Sequence, residues 1–260
     1  AGGKELFLCS FSSHTALKFS TFWGGGGADT CAPHSLVLGS GGGFAVSGTT
    51  SSADFPLAAP YQSSLGGGSD AFVSVFASAT ETLFSSYIGG AGNDTGLGIA
   101  SDPAGSLYLA GGTVSSDFPL VNAYQGTFAS AAGFLAKISS DGWTLPYSTF
   151  FGNYAAAVYD VEVASDGSPY LAGKTRSDLP IKNAYQSGFI DNDQMAFAAR
   201  LTPDGSQVSY STYLGGGKDA ALDAALDASG KLFLTGFTRG GFPFLNAYQS
   251  SLGDYDDAFL

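Results

Sequence analysis

The hydrophobic positions of this chain fall in short runs that are separated by turn residues. In residues 94–153, apolar runs at 97–100, 107–111, 134–138 and 144–151 predict four strands. A turn at 101–105 joins the first two, because Asp102 can cap its own backbone there and Gly105 can adopt a positive φ. A hairpin turn at 140–142 joins the last two. This segment therefore predicts two consecutive hairpins, with four antiparallel strands in all.

The same segment recurs along the chain at nearly constant intervals, as three markers show. A Ser, Ser/Thr, aromatic, apolar, Gly run begins at Ser20, Ser85, Ser148 and Ser211. An Asp-Phe-Pro marker is centred on Phe55, Phe118, Leu179 and Phe242, and a Tyr-Gln marker begins at Tyr61, Tyr124, Tyr185 and Tyr248. Three markers in phase indicate a tandem repeat of about 63 residues. Since the Phe-Pro marker recurs in every unit, we interpret it as an anchor for the loop between the second and third strands, not as a binding platform.

A four-stranded sheet repeated in tandem is the plan of a β-propeller blade, because one sheet buries its faces only by stacking on its neighbours. The third strands support this, since Phe72, Phe134 and Phe197 each begin an alternating apolar face. We predict a single all-β region, a β-propeller of four-stranded antiparallel blades with about four blades' worth of chain. The predicted division is a half blade at 1–28, full blades at 29–93, 94–153 and 154–217, and a partial blade at 218–260.

The two ends of the chain leave ring closure open. The N-terminal hairpin could complete the last blade and close a four-bladed ring, or the sequence could be an excerpt of a larger propeller. Residues 6–8 and 258–260 both predict the start of a third strand. This overlap favours the excerpt, because a closed ring needs only one copy.

The repeat resembles the SBBP family of bacterial β-propeller repeats. The best copies are at 210–216, 98–113, 117–119 and 123–125, and the resemblance covers nearly the whole chain. It is weakest at 4–17 and 29–43. The resemblance implies a propeller on exported or cell-surface proteins, and it implies no shared catalytic activity and no named ligand. Propellers serve many functions, so the fold alone does not supply one.

Composition and charge narrow the function classes. Charged residues make up only 12% of the chain and glycines number 38, which suits turn-rich β-structure better than exposed helices. The net charge of −12 disfavours nucleic acid and anionic membrane surfaces as partners. No run of about 20 apolar residues predicts a transmembrane helix.

The cysteines and histidines offer little chemistry. Cys9 and Cys31 could form a disulfide in an oxidising compartment, or they could be two buried free thiols. No Cys/His spacing typical of a zinc site occurs. We interpret His14, at a predicted turn, and His34, just before a strand, as solvated surface residues. No Ser/His/Asp or Cys/His set recurs in a motif context, so no catalytic residue is assigned.

Acidic residues are the candidates for metal binding. Two equivalent loops before third strands contain the candidate Ca²⁺ ligands, which are Asp191, Asp193, Asp254, Asp256 and Asp257. A solvated acidic loop is the alternative. Aspartates also recur in turns, at Asp102, Asp141, Asp166, Asp204 and Asp227, and there we favour Asx turns over a ring of Ca²⁺ ligands.

These observations favour a non-enzymatic, exported or cell-surface module that binds a protein partner or assembles with itself. Trp23 and Tyr255 are the candidate partner contacts. A carbohydrate-binding propeller is the second hypothesis, because Tyr and Trp platforms with Asp and Asn suit sugars. A lyase or glycosidase with a carboxylate pair in a central channel ranks last, since the sequence nominates no pair.

Overall fold

The fold is all-β, as the sequence predicts. A computed structural model describes residues 3–12, 16–39, 42–142, 144–190, 193–253 and 256–260. No α-helix occurs in these residues, and so none of them forms a helix able to cross a membrane.

Eighteen strands lie in the described part of the chain. They are β1 (Leu6–Phe11), β2 (Leu17–Trp23), β3 (Asp29–Thr30), β4 (Leu36–Leu38), β5 (Phe44–Thr50), β6 (Asp70–Ser78), β7 (Glu81–Ile88), β8 (Asp94–Ser101), β9 (Leu107–Thr113), β10 (Ala132–Ile138), β11 (Tyr147–Phe151), β12 (Ala157–Val163), β13 (Pro169–Thr175), β14 (Met195–Leu201), β15 (Val208–Leu214), β16 (Ala220–Leu226), β17 (Leu232–Thr238) and β18 (Asp257–Phe259).

The strands form five small antiparallel sheets. The first contains β1 and β2, and the second contains β3, β5, β6 and β7, with β4 also paired to β5. The strands β8 to β11 and β12 to β15 form two four-stranded sheets, and β16 to β18 form the last. Within the described ranges, no strand pairing joins the first sheet to the last to close a ring. The prediction of repeated four-stranded antiparallel sheets is confirmed.

Neighbouring sheets stack face to face, and the core lies between them. Phe134 and Phe150 face each other across β10 and β11 and pack with Val73 of the preceding sheet. On the opposite face, Leu135 packs with Phe197 of the following sheet. Each internal sheet therefore buries one face on the sheet before it and the other on the sheet after it. Full burial of one such Phe side chain contributes about 1.5–3 kcal/mol.

The Phe-Pro marker anchors the loop between the second and third strands, as predicted. The rings of Phe55 and Phe118 are buried, 4.6 Å from the Phe72 ring and 4.5 Å from the Phe134 ring between centroids. The Phe242 ring stacks on Phe259 at 4.2 Å.

The Tyr-Gln marker fixes the far end of the same loop. The Gln125 N–H donates to Thr149 Oγ1 at 2.8 Å, and Gln125 Oε1 accepts from the Gly152 N–H at 3.0 Å. Gln62 makes the equivalent bonds one unit earlier. The glutamine therefore ties the loop to its own fourth strand, which explains its recurrence in structural terms.

Three sheets carry a β-bulge at the same place in their first strand. The register shifts lie between Gly96 and Gly98 in β8, between Val158 and Asp160 in β12, and between Ala221 and Asp223 in β16. A bulge bends its strand and re-aims the neighbouring side chain. Gly98, Asp160 and Asp223 consequently occupy equivalent positions in successive sheets.

The second sheet departs from this plan at its first strand. Its residues form two short pieces, β3 and β4, which pair with β5 at separate points. Pro33 lies between them and has no N–H to donate, so the ladder is interrupted. The interruption falls in a stretch where the repeat pattern is weakest, and it places His34 between the two pieces.

Candidate functional site

Three ionisable side chains from three different sheets meet where the first strands converge. The Nε2 atom of His34 lies 3.4 Å from Asp223 Oδ1. Asp160 completes the group, and one potential ligand atom from each residue lies within 4.8 Å of the others. His34 was interpreted as a solvated surface residue. Its side chain is instead half-buried, at 36% exposure, and belongs to this cluster.

Backbone hydrogen bonds hold the cluster in place. The Asp160 carboxylate accepts the Val161 N–H at 2.8 Å and the Ala224 N–H at 2.9 Å, so it links β12 to β16. The His34 carbonyl oxygen accepts the Ile99 N–H at 2.9 Å, which fixes the histidine backbone on β8. The bulges in β12 and β16 place both carboxylates at the same level of their strands.

The absence of a side chain at Gly98 permits this approach. A Cβ atom at Gly98 would lie 3.0 Å from the Asp160 Cα atom and 3.3 Å from Asp160 Oδ1. Any larger residue at this position would therefore push β12 away from β8. The strand β8 belongs to the sheet that lies between the sheets of His34 and Asp160. It therefore contributes no ligand to the cluster, and its Gly98 leaves room for the other side chains.

Burial shifts the titration of the acidic groups beside the cluster. It raises the pKa of Asp160 to about 6, although the Ala224 N–H and His34 act in the opposite direction. It also raises the pKa of Glu162 to about 6, and repulsion from Asp160 and Asp223 adds to the effect. Each of these carboxylates is therefore more costly to ionise than it would be in water.

A cavity of about 230 Å³ opens beside the cluster, lined by His34, Asp160 and Glu162 together with apolar side chains that include Leu36 and Ile99. The cluster is therefore accessible to small molecules and ions, although Asp160 itself is almost fully buried.

A different kind of feature is the exposed aromatic face of the first sheet, which we call the first face and define by Phe7, Phe11 and Phe22. Phe7 and Phe22 are cross-strand partners on β1 and β2, and they are 70% and 74% exposed. In each of the next three sheets the equivalent pair is buried. These pairs are Phe72 with Tyr87, Phe134 with Phe150, and Phe197 with Tyr213.

The last sheet has an exposed residue on its opposite face, the face that would meet a following sheet; we call this the last face and define it by Phe233. Phe233 is the second residue of β17, and the second residues of β9 and β13 are Tyr108 and Tyr170. Both tyrosines are buried, and each hydroxyl donates to a carbonyl in the following sheet, at Gly167 and Gly230. Phe233 is 46% exposed at this position.

The predicted acidic loops are occupied by ion pairs where the structure describes them. Asp193 pairs with Lys218 at 2.8 Å and with Arg176 at 3.7 Å, and Asp256 pairs with Arg239. These cations lower the pKa values of Asp193 and Asp256.

The third described acid of these loops, Asp257, lies in β18 and accepts the Gly253 N–H at 2.6 Å. Asp191 and Asp254 lie outside the described residues, so the Ca²⁺ hypothesis for these loops stays a prediction. Among the turn aspartates, Asp102 and Asp227 accept backbone N–H groups within their own turns, as an Asx turn requires.

Trp23 makes internal contacts. Its indole Nε1–H donates to Ser74 Oγ at 3.0 Å, and its ring lies edge-on to Phe76 at 4.8 Å. The exposed aromatic residue at this end of β2 is its neighbour Phe22. Tyr255, the other candidate partner contact, lies outside the described residues. So does His14, which the sequence predicts to be a solvated surface residue.

The two cysteines are free thiols in the structure, and both are exposed. The buried-thiol interpretation is therefore wrong, and Cys9, for example, lies on the outward face of β1. The disulfide between Cys9 and Cys31 stays a prediction.

Sequence reasoning missed the cluster and both exposed faces, although signals were present. Asp160 and Asp223 lie one repeat apart, and an alignment of the units would have paired them. The same alignment places Phe7 at the position of Phe72. It therefore identifies Phe7 as a residue of the face that packs on a preceding sheet.

No protein-family model matches the chain, and no curated protein matches it significantly. Function is therefore inferred from the geometry of the sites described above.

Proposed function

We propose that the chain is a propeller-type structural and protein-interaction module, whose sheets are blades and whose two end faces bind further sheets of the same kind. The module belongs to an exported or cell-surface assembly and carries out no catalytic step of its own. The resemblance to SBBP repeats and the low content of charged residues support this placement.

The exposure of Phe7 and Phe22 carries the proposal. The same cross-strand pair is buried in the three following sheets because the preceding sheet covers it. For example, Phe72 packs in one cluster with Leu6 and Leu8, which lie on the opposite side of β1 from Phe7. An aromatic pair of this kind requires a covering sheet, which a preceding segment of a longer chain or a second copy of this chain would supply.

The first face and the last face are complementary halves of one repeating interface. The first face has the aromatic pair that elsewhere packs on a preceding sheet, and the last face has the position that elsewhere packs on a following sheet. Such a head-to-tail contact is heterologous, and it can extend an assembly by one unit at a time.

Self-association of the 260-residue chain tests the proposal. We expect its mass in light scattering to rise above 26.4 kDa with concentration. Phe22→Glu on the first face and Phe233→Glu on the last face should each reduce further growth, because a buried charge opposes a dry interface. An equimolar mixture of the two variants should form a dimer, since each retains the face that the other has lost.

Tyr185→Glu is the matched control, because Tyr185 is equally exposed but lies in the loop between β13 and β14, which contributes no residue to either face. It should associate as the unmodified chain does. A chain that keeps the mass of a monomer at every concentration would contradict the proposal, and so would a Phe22→Glu variant that associates normally.

A further inference from the structure

We propose that His34, Asp160 and Asp223 form a binding site for a divalent transition-metal ion of the Zn²⁺ class. The three residues come from three different sheets, and their potential ligand atoms already lie within 4.8 Å of one another. This site is independent of the two end faces described above.

The spacing of the two half-exposed ligands suits a tetrahedral ion. Two ligands that each lie about 2.0–2.1 Å from a tetrahedral metal are about 3.3–3.4 Å apart. The observed distance between His34 Nε2 and Asp223 Oδ1 is 3.4 Å. The Asp160 ligand atom lies within 4.8 Å of the other two, so its carboxylate must move toward them to complete the set.

The donor types select the class of ion. One imidazole nitrogen with two carboxylate oxygens suits Zn²⁺ and its first-row neighbours, whereas Ca²⁺ and Mg²⁺ prefer oxygen ligands alone. Three protein ligands leave a fourth position, and the adjacent cavity of about 230 Å³ gives water or a small ligand access to it.

The groups around the ligands fit the same role. Carboxylate ligands in metal sites are oriented by hydrogen bonds from outside the coordination sphere. The N–H groups of Val161 and Ala224 orient Asp160 in this way and leave further lone pairs on its oxygens. A cation would also neutralise negative charge at Asp160, whose side chain is almost fully buried.

The bulge positions explain how the fold builds the site. Asp160 and Asp223 follow equivalent bulges in β12 and β16, and Gly98 follows the bulge in β8. The tandem repeat therefore presents one position from each of three sheets to the same place. His34, which supplies the imidazole, lies at the interruption between β3 and β4.

Calorimetric titration of the 260-residue chain with ZnCl₂ tests this site. We expect one ion per chain, with an affinity that falls at least tenfold in His34→Gln and in Asp223→Asn. His14→Gln is the control for adventitious binding to a histidine and should bind as the unmodified chain does. Both altered side chains of the site are partly exposed, so the variants should keep the fold, which circular dichroism can verify.

A second measurement separates specific from weak surface binding. Zn²⁺ should raise the unfolding temperature of the unmodified chain and not that of His34→Gln, because only an ion bound to the folded state stabilises it. The proposal is overturned if no saturable binding occurs at millimolar Zn²⁺. Equal affinity in the unmodified chain and both site variants, or loss of binding in His14→Gln, would overturn it as well.

Discussion

Gly111 lies directly beneath the ring of Phe134, its cross-strand partner in the third sheet. A Cβ atom at Gly111 would lie 2.7 Å from the Phe134 ring and would collide with the Thr95 carbonyl oxygen. The same relationship recurs in the other units, at Gly48, Gly173 and Gly236. The glycine therefore permits the aromatic ring to pack flat against its own sheet.

Gly111→Ala should destabilise the fold. The added methyl group must displace both the Phe134 ring and the backbone of β8, and overpacking of this kind costs about 1–3 kcal/mol. Urea unfolding should show the loss as a lower midpoint. Gly112→Ala is the matched control, because the nearest atom to its Cβ would be 3.8 Å away. Equal midpoints for the two variants would contradict the packing explanation.

A partly buried ion pair joins the two hairpins of the third sheet. Lys137 Nζ lies 3.1 Å from Asp102 Oδ2 and donates to the Tyr108 hydroxyl at 2.7 Å. Burial tends to raise the pKa of Asp102, but hydrogen bonds from Lys137 and the Ser106 N–H, with the charge of Lys137, hold it below its ordinary 3.8.

Lys137→Met should cost about 2 kcal/mol at neutral pH, because Asp102 stays buried without its cation. A lowered folded-state pKa stabilises the protein above pH 3.8, and this contribution is lost as the pH falls through the folded value. The gap in unfolding free energy between unmodified chain and variant should therefore narrow in acid. Urea unfolding near pH 7 and near pH 3 checks this. The exposed Lys182→Met is the control, and a gap that is constant with pH would refute the role of Asp102.

Most of the fold could be predicted because the units share one sequence pattern, so that each unit supports the strand assignment in the others. The alternation around Phe134 and the turn residues around Asp102 specified two hairpins, and the structure has them. Strand bounds were less accurate, since β8 begins at Asp94 and not at 97. Polar residues such as Asp94 can start a strand when neighbouring backbone groups satisfy them, and that depends on tertiary contacts.

The candidate metal site could be predicted only in part. Asp160 and Asp223 share a repeat position, so their proximity follows from the tandem plan. His34 has no counterpart in the other units, because its place depends on the break in pairing beside Pro33. Such a local departure from the repeat is visible only once the sheets are stacked.

Asp70→Asn should make the protein more stable at neutral pH. Among the described residues, Asp70 Oδ1 and Asp94 Oδ1 are buried without hydrogen-bond partners. A Cβ atom at Gly89 would lie 2.7 Å from both Asp70 Oδ1 and Asp94 Oδ2, so the carboxylates face each other there. An amide group in place of Asp70 Oδ1 can donate toward Asp94, and we expect a gain of about 1 kcal/mol.

The pH dependence gives this substitution a second readout. Burial, followed by the proximity of Asp94, raises the pKa of Asp70 above 3.8. The folded state then holds the proton more tightly, so stability falls as the pH rises through 3.8 toward the folded value. The Asp70→Asn variant should lack this loss of stability with rising pH. The control variant Glu81→Gln, at an exposed position, should keep it. If Asp70→Asn is less stable than the unmodified chain at pH 7, the prediction is wrong and the folded state requires the ionised carboxylate of Asp70.

Tyr87→Phe should loosen the loop that carries Phe55. The Tyr87 hydroxyl donates to the Ser52 carbonyl at 2.5 Å and accepts the Phe55 N–H at 3.2 Å, so it ties β7 to the start of that loop. Loss of these bonds should cost about 1–2 kcal/mol in urea unfolding. Amide hydrogen exchange should also become faster at Phe55, because its N–H loses one acceptor. Tyr61→Phe, at a half-exposed ring, should change neither quantity. Unchanged exchange at Phe55 in Tyr87→Phe would show that packing of the Phe55 ring alone holds the loop.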